Sequence, residues 1–271
     1  MSEPFTLTAQ THLSLESWQK VDQRLKVGFS TRCGGVSEGF YESLNLGLHV
    51  ADESSRVIAN REILAKQLTI PLQHWVSGSQ VHGSEIKIVT ENDRGLGATN
   101  MSTSIQGVDG LITRAKDVLC TAFFADCVPL YFFDPKSKYI GIAHAGWRGT
   151  VLGIGQRMVE TFQSLGVLKE NLLVSIGPCI SGEKYEVDET VIKEIPKQFL
   201  KSVTKQKQNK KYLLDLKRLN SEILLHSGIL RHNISITNYC THQNDDLFFS
   251  YRRDRGKTGR MIGYIGYSIN Q

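Results

Sequence analysis

Apolar residues recur at helical spacing once early in the chain, then give way to short, nearly continuous apolar runs separated by Gly, Asp and Pro. Between Asp52 and Leu68, the residues Val57, Arg61, Leu64, Ala65 and Leu68 share one face. That spacing predicts a helix capped by Asp52 or Ser54 and closed before Pro71. Upstream, Val27 to Thr31 predicts a strand running into a turn at Gly34-Gly35. Downstream, His74 to Ser77, Glu85 to Thr90, Asp109 to Thr113, Val118 to Phe124, Pro129 to Phe133 and Tyr139 to Ala143 are rich in Val, Ile, Phe and Tyr, and predict strands. Asn92 to Gln106 is rich in Gly, Asn and Ser and predicts a loop, long enough to act as a lid or simply mobile. Helices are expected at Gly149 to Leu165, Asp188 to Phe199 and Leu213 to Leu225, and strands at Leu172 to Ile176, Ile234 to Tyr239 and Met261 to Tyr267. Strands outnumber helices, and short turns join many of them. The pattern therefore favours mixed or antiparallel pairing: one α+β domain over residues 1–271, sheet inside and helices outside.

Composition narrows the class. The 271 residues are 40% hydrophobic and 22% charged, ordinary values for a soluble globular protein. No apolar run approaches the roughly 20 residues that span a bilayer. Met1 to Gln10 lacks the charged start and apolar stretch of a secretory signal. Five cysteines (Cys33, Cys120, Cys127, Cys179 and Cys240) are an odd number without a Cys-x-x-Cys pair, which suggests reduced thiols and a cytoplasmic location. Cys120, inside an apolar run, reads as a small core residue. A net charge of +5 suits an anionic small substrate rather than a nucleic acid, and the basic stretch Lys205 to Lys211 reads as a solvated loop.

Candidate chemistry concentrates in three segments: Gln80-Val81-His82-Gly83, Ala125-Asp126-Cys127 and Ala143-His144-Ala145-Gly146-Trp147-Arg148-Gly149. Each sets one metal-binding side chain beside small residues or at the end of an apolar run, where it can point into a cleft. Two imidazoles and one thiolate are the ligand count of a catalytic zinc that keeps a fourth position open. His82, Cys127 and His144 are thus candidate ligands and catalytic residues. Asp126 and Glu85, near them in sequence, are candidates to move protons. A metal-free alternative makes Cys127 a nucleophile with His144 as its base, giving a cysteine hydrolase. A third is a zinc-binding protein without catalysis.

Two arginines stand out for anion binding. Arg32 lies at a strand-to-turn junction, and Arg148 sits at a predicted helix start where Gly149-Thr150 would add N–H donors. Asn45 and His49 are further candidates to touch substrate. Other templates are missing. Gly153-Ile154-Gly155 lacks the third glycine of a dinucleotide loop, and there is no Walker loop or Gly-x-Ser-x-Gly elbow. No His-x-His pair supports a copper cluster.

The three segments, with Asn45-Leu46-Gly47, Cys240-Thr241-His242, Phe249 to Asp254 and Thr258-Gly259-Arg260, resemble the YfiH-type family, also called the laccase-domain or polyphenol-oxidase family. The resemblance runs from about Gly28 to Gly266. It implies α/β/β/α layers with mixed sheets and zinc at His82, Cys127 and His144. It also implies phosphorolysis of adenosine, inosine, guanosine and methylthioadenosine, with deamination of adenosine. Some bacterial members of the family are implicated in removing misincorporated serine from peptidoglycan precursors.

Overall fold

The computed structural model describes residues 3–268. In chain order the first half forms β1 (Thr6–Ala9), β2 (His12–Ser14), α1 (Glu16–Val21), β3 (Leu25–Ser30), α2 (Ser54–Leu68), β4 (Trp75–Ser77), β5 (Ile86–Ile88), β6 (Gly110–Thr113), β7 (Val118–Phe124), β8 (Val128–Phe133) and β9 (Ile140–Ala145). The second half forms α3 (Trp147–Val151), α4 (Ile154–Ser164), β10 (Leu173–Ile176), β11 (Glu186–Asp188), α5 (Glu189–Glu194), α6 (Lys197–Val203), β12 (Thr204–Gln206), β13 (Lys211–Leu214), α7 (Leu216–His226), β14 (Ile234–Ile236) and β15 (Met261–Tyr267).

Two six-stranded mixed sheets stack face to face. One has the order β1-β2-β3-β15-β7-β4 and the other β14-β10-β8-β9-β6-β5. Between them lies an aromatic-rich core that includes Phe29, Phe124, Tyr131, Phe133, Ile142 and Met261. Helix α2 covers the outer face of the first sheet, where Leu64 and Leu68 meet Leu119, Phe123 and Ile262. Helices α4 and α7 cover the second sheet through Ile154, Met158, Phe162, Leu219 and Leu224. The layers are therefore α/β/β/α, as expected. Because both faces of each sheet are covered, β7 is buried at all seven positions. Its side chains alternate: Cys120, Ala122 and Phe124 face the inner core, while Leu119 and Phe123 face α2. Each fully buried Leu or Phe contributes about 1.5–3 kcal/mol relative to exposure.

Several boundaries differ from the expectation for local reasons. Neither Asp52 nor Ser54 caps α2; Glu53 holds that position and caps with no side-chain bond. Asp52 instead accepts from Ser37 and Asn45. The helix expected at Gly149 to Leu165 starts at Trp147 and breaks at Gly153, whose φ of +80° admits glycine readily. The one expected at Asp188 to Phe199 is split into α5 and α6 around Ile195-Pro196, as Pro prevents continuation. Leu213-Leu214 belongs to β13, and α7 begins only after Asp215, which caps it by accepting from the Arg218 N–H. The Lys205 to Lys211 loop is the exposed tip of the β12–β13 hairpin and its flanks. The Asn92 to Gln106 segment is no lid. Its Leu96 and Ile105 pair with Ser77 at both backbone groups, and Arg61 binds the Gly97 and Ala98 carbonyls. The sequence pattern predicts no counterpart to the N-terminal β1, β2 and α1.

Candidate active site

Strand register assembles the site. The Ala125–Cys127 turn carries the chain from β7 in one sheet to β8 in the other. Strands β8 and β9 pair antiparallel, Val128 opposite Ala145 and Pro129 opposite His144. Cys127 is thereby brought to the end of β9 that carries His144. On the far side of β9, β6 pairs with Gly110 opposite Ala143, which brings Asp109 beside His144. The His144 N–H donates to the Asp109 carbonyl at 2.8 Å.

His82 arrives on a loop wrapped around the Asp109 carboxylate. Oδ1 accepts from the His82 N–H at 3.1 Å; Oδ2 accepts from the N–H groups of Val81 and Gly83 at 3.0 and 2.8 Å. The Gln80 side-chain amide donates to the Phe123 carbonyl and accepts from its N–H, fastening the loop to β7. Gln80 and His82 hold φ of +48° and +59°, and Asp126 holds +88°. Non-glycine residues take that region at a cost of order 1–3 kcal/mol each, and such strain clusters at functional sites.

The ligand atoms of His82, Cys127 and His144 all lie within 4.8 Å of one another, from exposed His82 through half-buried Cys127 to buried His144. Cys127 Sγ stands 4.0 Å from His82 Nε2. A tetrahedral ion with bonds of about 2.0–2.3 Å would separate its ligands by about 3.3–3.8 Å. The trio therefore fits a single metal ion after a small contraction. Gly146 makes room for it: a Cβ there would stand 2.9 Å from His82 Cδ2 and 3.1 Å from Cys127 Sγ. His144 Nδ1 bonds Asp109 Oδ1 at 2.8 Å, which leaves Nε2 as the ligand atom.

Electrostatics reinforce the arrangement. Burial pushes the Cys127 thiol up, but His144 and His82 outweigh it and bring the thiol down to about 6. Burial pushes His144 down, and the Cys127 and Asp109 charges more than reverse this, raising it. Burial likewise pushes Asp109 up, but the bonds from His144 and the backbone leave it below the usual carboxylate range. Without metal, the site thus favours a thiolate beside an imidazolium.

The trio opens into a cavity of ≈ 610 Å³ whose walls include Trp147, Arg148, Tyr185, Tyr251, Arg252 and Arg260. Of the arginines expected at substrate, Arg148 lines this cavity and Arg32 does not. The Arg32 guanidinium donates to the carbonyls of Glu42 and Asp245 and stacks over Phe249. Asn45 is fully buried behind the cavity wall, whereas His49 lines it against Phe123. Asp126 borders the cavity, but its oxygens accept from Thr241, Ser250 and the Arg252 N–H. Glu85 is surface-exposed and pairs with Arg157. The carboxylate that serves the site is Asp109, whose only sequence signal was its place ahead of an apolar run.

A family model described as multi-copper polyphenol oxidoreductase laccase matches residues 26–268. The chain is 42% identical over 269 residues to purine nucleoside phosphorylase YlmD of Bacillus subtilis, covering 97% of each. The crystal structure of YlmD from Geobacillus stearothermophilus superposes with a TM-score of 0.93 at 39% identity, covering 98% of this chain and 100% of that one. That of the Bacillus licheniformis hypothetical protein YfiH gives 0.94 at 41%, again covering 98% and 100%.

Proposed function

The chain belongs to the multi-copper polyphenol oxidoreductase laccase family, and from its site and its named relatives we propose that it is a zinc-dependent purine nucleoside phosphorylase. Residues 1–271 act as a single domain, and reduced thiols suit a cytoplasmic setting. The carrying observation is the His82–Cys127–His144 trio opening into a cavity lined by arginine and aromatic side chains. Relatives named purine nucleoside phosphorylase support the substrate class.

One thiolate and two imidazoles suit zinc. A multi-copper centre does not fit, because this trio is the one cluster of three or more His, Cys, Asp or Glu ligands among the described residues. Bound zinc would supply Lewis-acid polarisation and an activated water for a hydrolytic branch. The protein's own groups do the rest. Asp109 fixes the tautomer and orientation of His144 and holds the His82 loop. Trp147, Tyr185 and Tyr251 line the cavity and suit contact with a purine ring. Cationic side chains neutralise phosphate, one of whose oxygens bonds to the anomeric carbon as the glycosidic C–N bond breaks and the base leaves with a proton. The substrates we assign are adenosine, inosine, guanosine and methylthioadenosine, with hydrolytic deamination of adenosine as a second activity.

A second reading draws on the Cys127–His144–Asp109 alignment, which also describes a thiol hydrolase, including one that edits peptidoglycan precursors. Metal analysis combined with mass spectrometry of adenosine reactions, with and without phosphate, tests both. About one zinc per chain and phosphate-dependent ribose 1-phosphate are expected, and both should vanish in Cys127→Ala. Turnover that survives chelation but not iodoacetamide would establish the thiol enzyme instead. Zinc without turnover of nucleosides or muramoyl peptides would leave a non-catalytic metal protein.

A further inference from the structure

Arg260 brings a charge into the cavity without a counter-ion. It is half-buried just ahead of β15, and its Nη1 donates to the Thr258 and Gly259 carbonyls at 2.8 and 3.0 Å. Among the described residues, no carboxylate lies within ion-pair distance of it, and Nε and Nη2 meet no protein acceptor. Those two nitrogens form the side-on edge of guanidinium, which donates two parallel bonds to an oxyanion. Neither nitrogen is sealed in the core, and the Arg260 side chain lines the cavity beside Tyr251.

Other arginines are accounted for differently. Arg157 and Arg253 pair with carboxylates. Arg61 is fully buried, but its Nε and Nη1 brace the carbonyls of Leu46, Gly97 and Ala98.

The backbone around Arg260 is built to hold it. Asn45 Oδ1 accepts from the Arg260 N–H at 2.9 Å and the Gly47 N–H at 3.0 Å. The Leu46 N–H donates to the Arg260 carbonyl at 3.0 Å. Gly47 admits the side chain itself, for a Cβ there would stand 2.7 Å from Arg260 Cγ. The Asn45-Leu46-Gly47 segment therefore grips an arginine rather than touching substrate. Arg252 and Arg148 line the same cavity and, among the described residues, likewise have no carboxylate within ion-pair distance; Arg252 is steadied over Tyr185 and by the Glu186 carbonyl. Burial depresses the Arg260 pKa, partly offset by Cys127, Tyr251 and Asp126, so a dianion there would be stabilised by a poorly solvated cation.

We propose that Arg260 is the principal phosphate-binding residue of this cavity, flanked by Arg252 and Arg148, with Asn45 and Gly47 as positioning residues. The ligand is a phosphate dianion, either free phosphate or the phosphoryl group of a pentose 1-phosphate. The choice of anion rests on the phosphorolytic reading.

The test titrates inorganic phosphate into the zinc-loaded full chain by calorimetry, alongside steady-state phosphorolysis of inosine. Variants are Arg260→Gln, Arg260→Lys and Gly47→Ala, with Arg157→Gln as a surface control. Loss of two charge-assisted bonds should weaken phosphate binding and raise its KM by at least about 100-fold in Arg260→Gln. Lys should recover part of this, and Gly47→Ala should shift the phosphate KM the same way. Inosine affinity measured without phosphate, and zinc content, should stay near the parent values. If Arg260→Gln fails to fold, Arg260→Lys and Gly47→Ala carry the same comparison. A phosphate affinity within about twofold of the parent in Arg260→Gln overturns the assignment. So does an equal loss of inosine affinity, or a parent that binds no phosphate. A parent that binds phosphate through Arg260 yet cleaves no nucleoside would uphold the anion site and remove the phosphorolytic reading.

Discussion

Replacing Asp109 by Asn keeps its shape and removes its charge. The carboxylate now accepts four hydrogen bonds: Oδ1 from the His82 N–H and His144 Nδ1, Oδ2 from the Val81 and Gly83 N–H groups. Its side chain is fully buried. An amide offers one acceptor oxygen, so either orientation leaves two donors facing an NH₂ group. At about 1–3 kcal/mol for each buried group left unsatisfied, Asp109→Asn should lose about 2–6 kcal/mol of stability. If the NH₂ faces His144, that ring can escape only by moving its proton to Nε2, which removes the ligand lone pair. If it faces the loop, His82 is displaced. Either way the metal site suffers, and second-sphere losses of this kind typically cost about 10- to 100-fold in affinity. Urea denaturation of the metal-free protein gives the first quantity, and zinc competition against a chromophoric chelator gives the second. A variant within about 0.5 kcal/mol of the parent that also binds zinc equally well would refute the view that one carboxylate organises both histidines.

Two further outcomes follow from the same geometry. Gly146→Ala places a methyl against His82 and Cys127, and should reduce zinc affinity by at least about tenfold with little change in the metal-free melting transition; unchanged affinity would show that the loop yields freely. In metal-free protein, the Cys127 thiolate persists down to about pH 6, so its iodoacetamide labelling should rise as pH increases through 6 and then level off. Cys33, whose thiol is raised by burial, should label only at higher pH, and zinc should protect Cys127. Peptide mass spectrometry reads both sites, and faster labelling of Cys33 at neutral pH would contradict the imidazolium–thiolate pairing.

The local sequence was sufficient to single out His82, Cys127 and His144 as candidates and to predict most central strands. A ligand beside Gly or Ala at the end of an apolar run is a short-range signal, as are the Val/Ile/Phe runs of β7, β8 and β9 and the helical face from Val57 to Leu68. Pro196 and Gly153 break helices that apolar periodicity alone predicts to be continuous. Arg32 looked suited to an anion because of its junction, yet a side chain's target depends on which carbonyls fold beside it, and Glu42 and Asp245 take its donors. Tertiary structure alone gave Asp109 its task, since pairing of β6 with β9 sets it opposite His144 across 35 positions of chain. It likewise joined Asn45 to Arg260, 215 positions apart. Periodicity and turn chemistry are properties of neighbours along the chain. Charge placement is a property of register and sheet stacking, which emerge only when the two apolar faces have closed on one another.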